Sequence, residues 1–61
     1  MDWVTLKQKH PPKDVDILAT FSDGKEYWIE VSQNNRGIIS PHKKFGNCVA
    51  WMPLPKVYVE I

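Results

Sequence analysis

Two alternating stretches flank Ser22-Asp23-Gly24, and they constrain the fold more than any other feature of the chain. Val15, Ile17, Ala19 and Phe21 fall on one side of an extended backbone, with Asp16, Leu18 and Thr20 on the other. Tyr27, Ile29 and Val31 form one side of the following run, and Glu26, Trp28, Glu30 and Ser32 form its reverse. A period of two is that of a strand with one buried face. The turn residues between the runs join them as a hairpin over 15–21 and 25–32. No ten-residue segment has helical periodicity.

Residues directly opposite on paired strands share a face, so loop length selects the register. A two-residue Asp23-Gly24 loop sets Ala19 against Trp28 and Ile17 against Glu30, mixing apolar and charged faces. A three-residue Ser22-Asp23-Gly24 loop with Gly24 in the left-handed region pairs Phe21 with Lys25, Ala19 with Tyr27, Ile17 with Ile29 and Val15 with Val31. This second register aligns the apolar rows and predicts a positive φ at Gly24. Its reverse face pairs Leu18 with Trp28, Thr20 with Glu26 and Asp16 with Glu30.

The remaining segments are also short and β-capable. Trp3 to Leu6 reads as a strand ended by Lys7-Gln8-Lys9-His10 and by Pro11-Pro12, which lack the N–H groups of a helix or central strand. Gln33 to Gly37 is a turn region in which Asn34-Asn35 tolerates left-handed backbone, and Gly37 to Ser40 reads as a short strand. A loop over Pro41 to Asn47 leads to the apolar Cys48 to Met52, which Pro53-Leu54-Pro55 interrupts; Val57 to Ile61 alternates once more. The expected architecture is all-β: one domain over 1–61, an antiparallel meander or half-barrel of five to six short strands.

At 61 residues and 7.1 kDa, such a domain buries only about 60% of its unfolded surface, so folding needs compensation. Cys48 is the single cysteine, which excludes an intrachain disulfide, and two histidines with one cysteine fall short of a four-ligand zinc site. No cofactor motif is present. Dense packing of Trp3, Trp28 and Trp51, or self-association as a homodimer, remain as routes to stability. The net charge of +1 creates no global field for nucleic acid or an anionic membrane. The apolar runs are too short to span a bilayer and the first residues lack a signal core, so no membrane association and a reducing cytoplasm are expected.

The opening Trp3-Val4-Thr5-Leu6, the loop prolines followed by Val15-Asp16-Ile17-Leu18-Ala19-Thr20, and the closing Val49-Ala50-Trp51-Met52-Pro53-Leu54-Pro55 form a pattern over residues 3 to 55. It resembles the small phage and prophage proteins of domain-of-unknown-function family 551, in which an N-terminal tryptophan-led strand, a proline loop and a closing Trp-Met-Pro-Leu-Pro recur. The resemblance implies a phage-type accessory protein acting in the host cytoplasm, and it brings no catalytic residues.

Candidate sites follow from chemistry. Leu18 and Trp28, rimmed by Asp16, Glu26 and Glu30, form the expected protein-binding patch on the reverse face, unless a terminal strand folds over it as core. The partner would be a host or phage protein, such as a defence or transcription component, that the chain modulates. Basic loops 7–13 and 36–44 offer a nucleic-acid surface if they converge, using Lys7, Lys9, Lys13, Arg36, Lys43 and Lys44 with Phe45 to stack on bases. The Trp51 to Pro55 segment reads as core and strand exit rather than a docking motif, its prolines being two apart. Cys48 in an apolar strand suits a structural role, since burial quenches thiol reactivity. Asp14 and Asp16 are about 7 Å apart on an extended strand, with no cleft to pair them as acid and base. The expectation is a non-catalytic binding module.

Overall fold

The computed structural model describes residues 2–60. Its strands are β1 (Val4–Thr5), β2 (Asp16–Ser22), β3 (Tyr27–Gln33) and β4 (Asn47–Pro53), with no helix among the described residues. They form one open antiparallel sheet in the order β1-β4-β2-β3. The all-β expectation holds, with four strands, and β4 inserts between β1 and β2 so that only β2 and β3 are neighbours in both sequence and sheet. The stretches read as short strands at 37–40 and 57–61 do not join it. Ile38 bridges only back to Asn35, residues 57–60 are unpaired, and Ile61 lies outside the described residues.

Gly24 has a φ of +94°, as the sequence predicts, but the loop is four residues long and the expected register is displaced. Ser22 lies opposite Tyr27, Phe21 opposite Trp28, Ala19 opposite Glu30 and Ile17 opposite Ser32. Asp23 explains the longer loop: its Oδ1 accepts the Lys25 and Glu26 N–H groups at 2.9 Å each, while Ser22 Oγ accepts the Gly24 N–H at 3.1 Å. An aspartate that caps two following amides holds both in the turn rather than the ladder. A left-handed glycine suits either loop length and does not distinguish them.

The displacement is an odd number of residues, so it turns β3 over. Trp28, Glu30 and Ser32 join Ile17, Ala19 and Phe21 on one face; Tyr27, Ile29 and Val31 join Leu18 and Thr20 on the other. The buried cluster is Ile17, Ala19, Phe21 and Trp51, with Val4, Leu6, Trp28, Ile39 and Cys48 packed against it. Ladder alternation would carry Cys48 to the opposite face. Phe21 instead lies opposite Cys48 while Thr20 lies opposite Ala50, so Val49 is an extra bulged residue that returns Cys48 to the core side.

Two loops cover the core face. In the first, Gln8 and Lys9 N–H groups both donate to the Thr5 carbonyl, the Trp51 indole N–H donates to Lys9 O at 2.8 Å, and Pro11 is buried. Buried Asn34 joins the loops: its side-chain amide donates to Pro11 O at 2.8 Å and its carbonyl accepts the Asp14 N–H. In the second, Asn35 and Ile38 exchange two backbone hydrogen bonds around Arg36 and Gly37, whose φ values of 56° and 83° make a type I′ turn. The left-handed positions expected at Asn34-Asn35 fall at 36–37 because Asn34 is occupied as a buried connector. Ser32 Oγ then donates to Ser40 O at 3.1 Å, and Ile39 reaches the core.

Candidate functional site

The patch expected around Leu18 and Trp28 is divided by the register. Leu18 lies opposite Val31, whereas Trp28 lies opposite Phe21 on the other side of the sheet. Trp28 stacks on Phe21 with ring centroids 6.1 Å apart, and Lys44 Nζ sits 4.7 Å over its ring. Gly46 lies against it so closely that a Cβ there would be 2.5 Å from the indole and 2.9 Å from Ser22 O. Trp28 is therefore packed into the fold by Phe21, Lys44 and Gly46, and it shares no surface with Leu18.

The carboxylates placed around that patch also serve the structure. Glu30 accepts the Trp28 indole N–H at 2.7 Å, the His42 N–H at 2.9 Å and the Lys43 N–H at 3.1 Å. The His42 amide is the main reason its carboxyl is held below the ordinary glutamate range, with burial opposing and the Trp28 indole and Lys43 amide adding to the effect. Asp23 is lowered to about 2, chiefly by the Glu26 and Lys25 amides. Lys44 pairs with Glu26 and, at 3.2 Å, with Asp23, which raises its own pKa. Asp16 accepts from Gln33 Nε2 at 2.6 Å across the β2–β3 ladder. Cys48 is half-buried, and burial pushes its thiol up, away from nucleophilic character.

Part of the basic constellation does converge. Lys13 bridges Asn34, which brings the end of loop 7–13 to the turn that carries Arg36. Lys44 lies at the opposite end of β3, tied to the hairpin loop, and Phe45 is 96% exposed beside it. Lys7, Lys9 and Lys43 are exposed. The seven residues are thus distributed along the covering loops.

The outward row of β3 is what the sequence reading assigned to the core. Tyr27, Ile29 and Val31 are 74%, 59% and 50% exposed, while Ala50 and Met52 on the same face are buried and Leu18 and Thr20 are half-buried. Exposure therefore rises across this face from β4 to β3. β3 is also a sheet edge: β2 occupies one side, and no described strand occupies the other. An open groove lies at the C-terminal end of β3, lined by Val31, Ser32 and Gln33 with Asp16 of β2 and with Arg36 and Ile38 of the following turn. A seven-residue edge with unpaired backbone groups, an apolar row on one side and a groove at its end is the geometry that accepts an additional strand. The signal in the sequence is Asp23 as a double cap, which lengthens the loop and turns the row outward.

No helix among the described residues is long and apolar enough to cross a membrane. No protein-family model matches the chain, and neither curated proteins nor solved structures provide a match.

Proposed function

We propose that this chain is a non-catalytic protein-binding module whose working surface is the free edge of β3 with its outward Tyr27, Ile29 and Val31. The observation that carries the reading is the coincidence, on one strand, of an unpaired edge and three exposed apolar side chains in a row. Edges in monomeric proteins are commonly blunted by lysine, proline, a bulge or an inward-pointing charge; β3 from Tyr27 to Gln33 contains no lysine, proline or bulge, and its inward charge, Glu30, is engaged by the Trp28 indole and the His42 and Lys43 amides. The partner supplies an extended segment: backbone hydrogen bonds give affinity, and alternate side chains lying on the Tyr27-Ile29-Val31 row give specificity. The Trp51 to Pro55 motif and its resemblance to phage accessory proteins support a host or phage protein as that partner, with the chain modulating it in the host cytoplasm.

Ile29→Lys tests the reading, because it places a charge in the exposed row without touching the core. Wild-type protein retains a specific partner from a bacterial lysate, identified by mass spectrometry, and Ile29→Lys loses it while keeping the wild-type circular dichroism. Equal retention of the same partner by both proteins overturns the proposed surface.

A second reading, nucleic-acid binding through the basic loops, has one observation in its favour: the Lys13–Asn34 bridge that brings Lys13 to the Arg36 turn. Lys44, however, is neutralised by Asp23 and Glu26. Binding to a mixed oligonucleotide pool that falls steeply with added salt and is lost in Lys13→Ala/Arg36→Ala supports this reading; no binding at low salt excludes it.

A further inference from the structure

Residues 54–60 leave the sheet after Pro53 and make no strand. Val57, Tyr58 and Val59 are 84%, 88% and 70% exposed. The chain is correspondingly elongated, with extents of 43 × 22 × 20 Å and a radius of gyration of 12.1 Å, against about 10.5 Å for a compact chain of this length. Lys56-Val57-Tyr58-Val59-Glu60 is nevertheless a strand sequence, alternating and rich in β-branched and aromatic residues. Among the described residues, the sheet thus has a seven-residue edge at β3, longer than the two-residue edge strand β1, and a strand-competent segment without a strand neighbour.

We propose that the segment 56–60 of one copy pairs antiparallel with β3 of a second copy, and the exchange is reciprocal, giving a two-fold dimer. This rests on the reading of β3 as a strand-accepting edge and names the strand that it takes. Complementarity fixes the register. Setting Lys56 opposite Glu30 places Val57 opposite Ile29, Tyr58 opposite Trp28 and Val59 opposite Tyr27, and brings Glu60 opposite Glu26, just before β3, whose charge Lys44 already offsets. Both valines then extend the outward apolar row, and Tyr58 meets the inward side of the edge at an aromatic neighbour. The charge pair matters because Glu30 is a carboxylate whose recorded partners are two backbone amides and an indole; among the described residues, no lysine or arginine is in ion-pair contact with it. Lys56 supplies that cation. Antiparallel pairing continues the orientation of every ladder in the sheet and is the more stable per residue. A five-residue strand is too short to stand alone as a ribbon with its symmetry mate, but a preformed seven-residue edge templates it.

Single-cysteine proteins test this in a Cys48→Ser background. Ile29→Cys on a tagged copy is mixed with Val57→Cys on an untagged copy and oxidised gently. The expected product is a tagged–untagged disulfide of twice the chain mass, formed at least tenfold more than with Tyr58→Cys, whose side chain points to the other face. Wild-type protein sediments as a dimer, and Val57→Asp/Val59→Asp sediments as a monomer with unchanged circular dichroism. A monomeric wild type, or equal crosslinking at 57 and 58, overturns the proposal. If it is overturned while Ile29→Lys still loses its captured partner, the edge docks another protein and only the self-pairing falls. If Ile29→Lys also retains that partner, both readings fall.

Discussion

The segments 38–46 and 54–60 invite comparison because both follow a strand or turn, both contain proline and apolar β-capable residues, and neither forms a strand. Their fates differ completely. The first lies on the core face, with Ile39 in the cluster, Ser40 bonded to Ser32, and the His42 and Lys43 amides on the Glu30 carboxylate. Gly46 permits the close approach that seats Trp28 beneath it. The second leaves its apolar side chains in solvent. What fastens the first is an inward-facing carboxylate that accepts from two loop amides, charge-assisted hydrogen bonds that are stronger than neutral ones. Apolar content alone did not decide it, since the alternating segment is the one left free.

The largest expected difference between the fastened and free regions comes from removing the floor on which both covering loops rest. Trp51 is buried, packs with Ile17, Ala19 and Phe21, and donates its indole N–H to Lys9 O, so Trp51→Ala both empties a large volume and frees an acceptor of the first loop. A loss of about 3–5 kcal/mol is expected for truncating a buried tryptophan, and in a domain of this size that is most of the stability. Tyr58→Ala, in the free segment, removes an aromatic side chain that touches no core residue; as a surface change it shifts the stability of the isolated chain by about 0.5 kcal/mol or less. Urea unfolding followed by tryptophan fluorescence or far-ultraviolet circular dichroism measures both. Similar losses for the two variants would dissolve the distinction between the regions.

Gly46→Ala probes the comparison more finely, because it adds one methyl group at the closest contact of the fastened loop. The new Cβ meets the Trp28 ring and the Ser22 carbonyl at distances that real Cβ atoms do not tolerate, so the loop or the indole must shift. Overpacking of this kind costs about 1–3 kcal/mol. The same substitution at Gly24 meets no neighbour, and its cost comes from the left-handed backbone alone. Near-ultraviolet circular dichroism separates them: Gly46→Ala alters the Trp28 signal, while Gly24→Ala leaves it in place.

How far these features were legible in the sequence follows from which interactions are local. The period-two runs place β2 and β3 within one or two residues, and the positive φ at Gly24 follows from turn chemistry. Face assignment on β3 was not legible, because pattern reasoning sends a glutamate to solvent and a Tyr-Ile-Val row to the core. The structure reverses both. Glu30 turns inward because its acceptor oxygens meet amides twelve and thirteen residues downstream, a long-range match with no local signal. The one local clue was Asp23, whose carboxylate holds Lys25 and Glu26 in the turn and so changes the register by an odd number. The same reversal moves the candidate surface from Trp28 to the Tyr27-Ile29-Val31 row, and it splits Leu18 from Trp28.

Acid should loosen the fastened segment while leaving the free one unaffected. Glu30 is held below its ordinary range by donors present only in the folded chain, first of them the His42 amide. A carboxylate with a depressed folded pKa contributes stability that is fully present above its unfolded value and is lost as pH falls through the folded value. The contribution of Glu30 is therefore complete at neutral pH and fades from the ordinary glutamate range downward. Asp23, lowered to about 2, keeps its turn through most of that interval. The first acid response is consequently local to residues 40–46, and the hairpin loop follows at lower pH. Glu30→Gln retains an acceptor for one amide but removes the charge, so its melting temperature is lower than wild type at neutral pH and the difference narrows on acidification. Amide exchange at His42 and Lys43 reports the local step: both accelerate in wild type as pH falls below the glutamate range, after correction for intrinsic rates, and in Glu30→Gln they are already fast at neutral pH. Protection of those two amides that is independent of Glu30 ionisation would mean that packing of Ile39 and Trp28, rather than the carboxylate, fastens the segment.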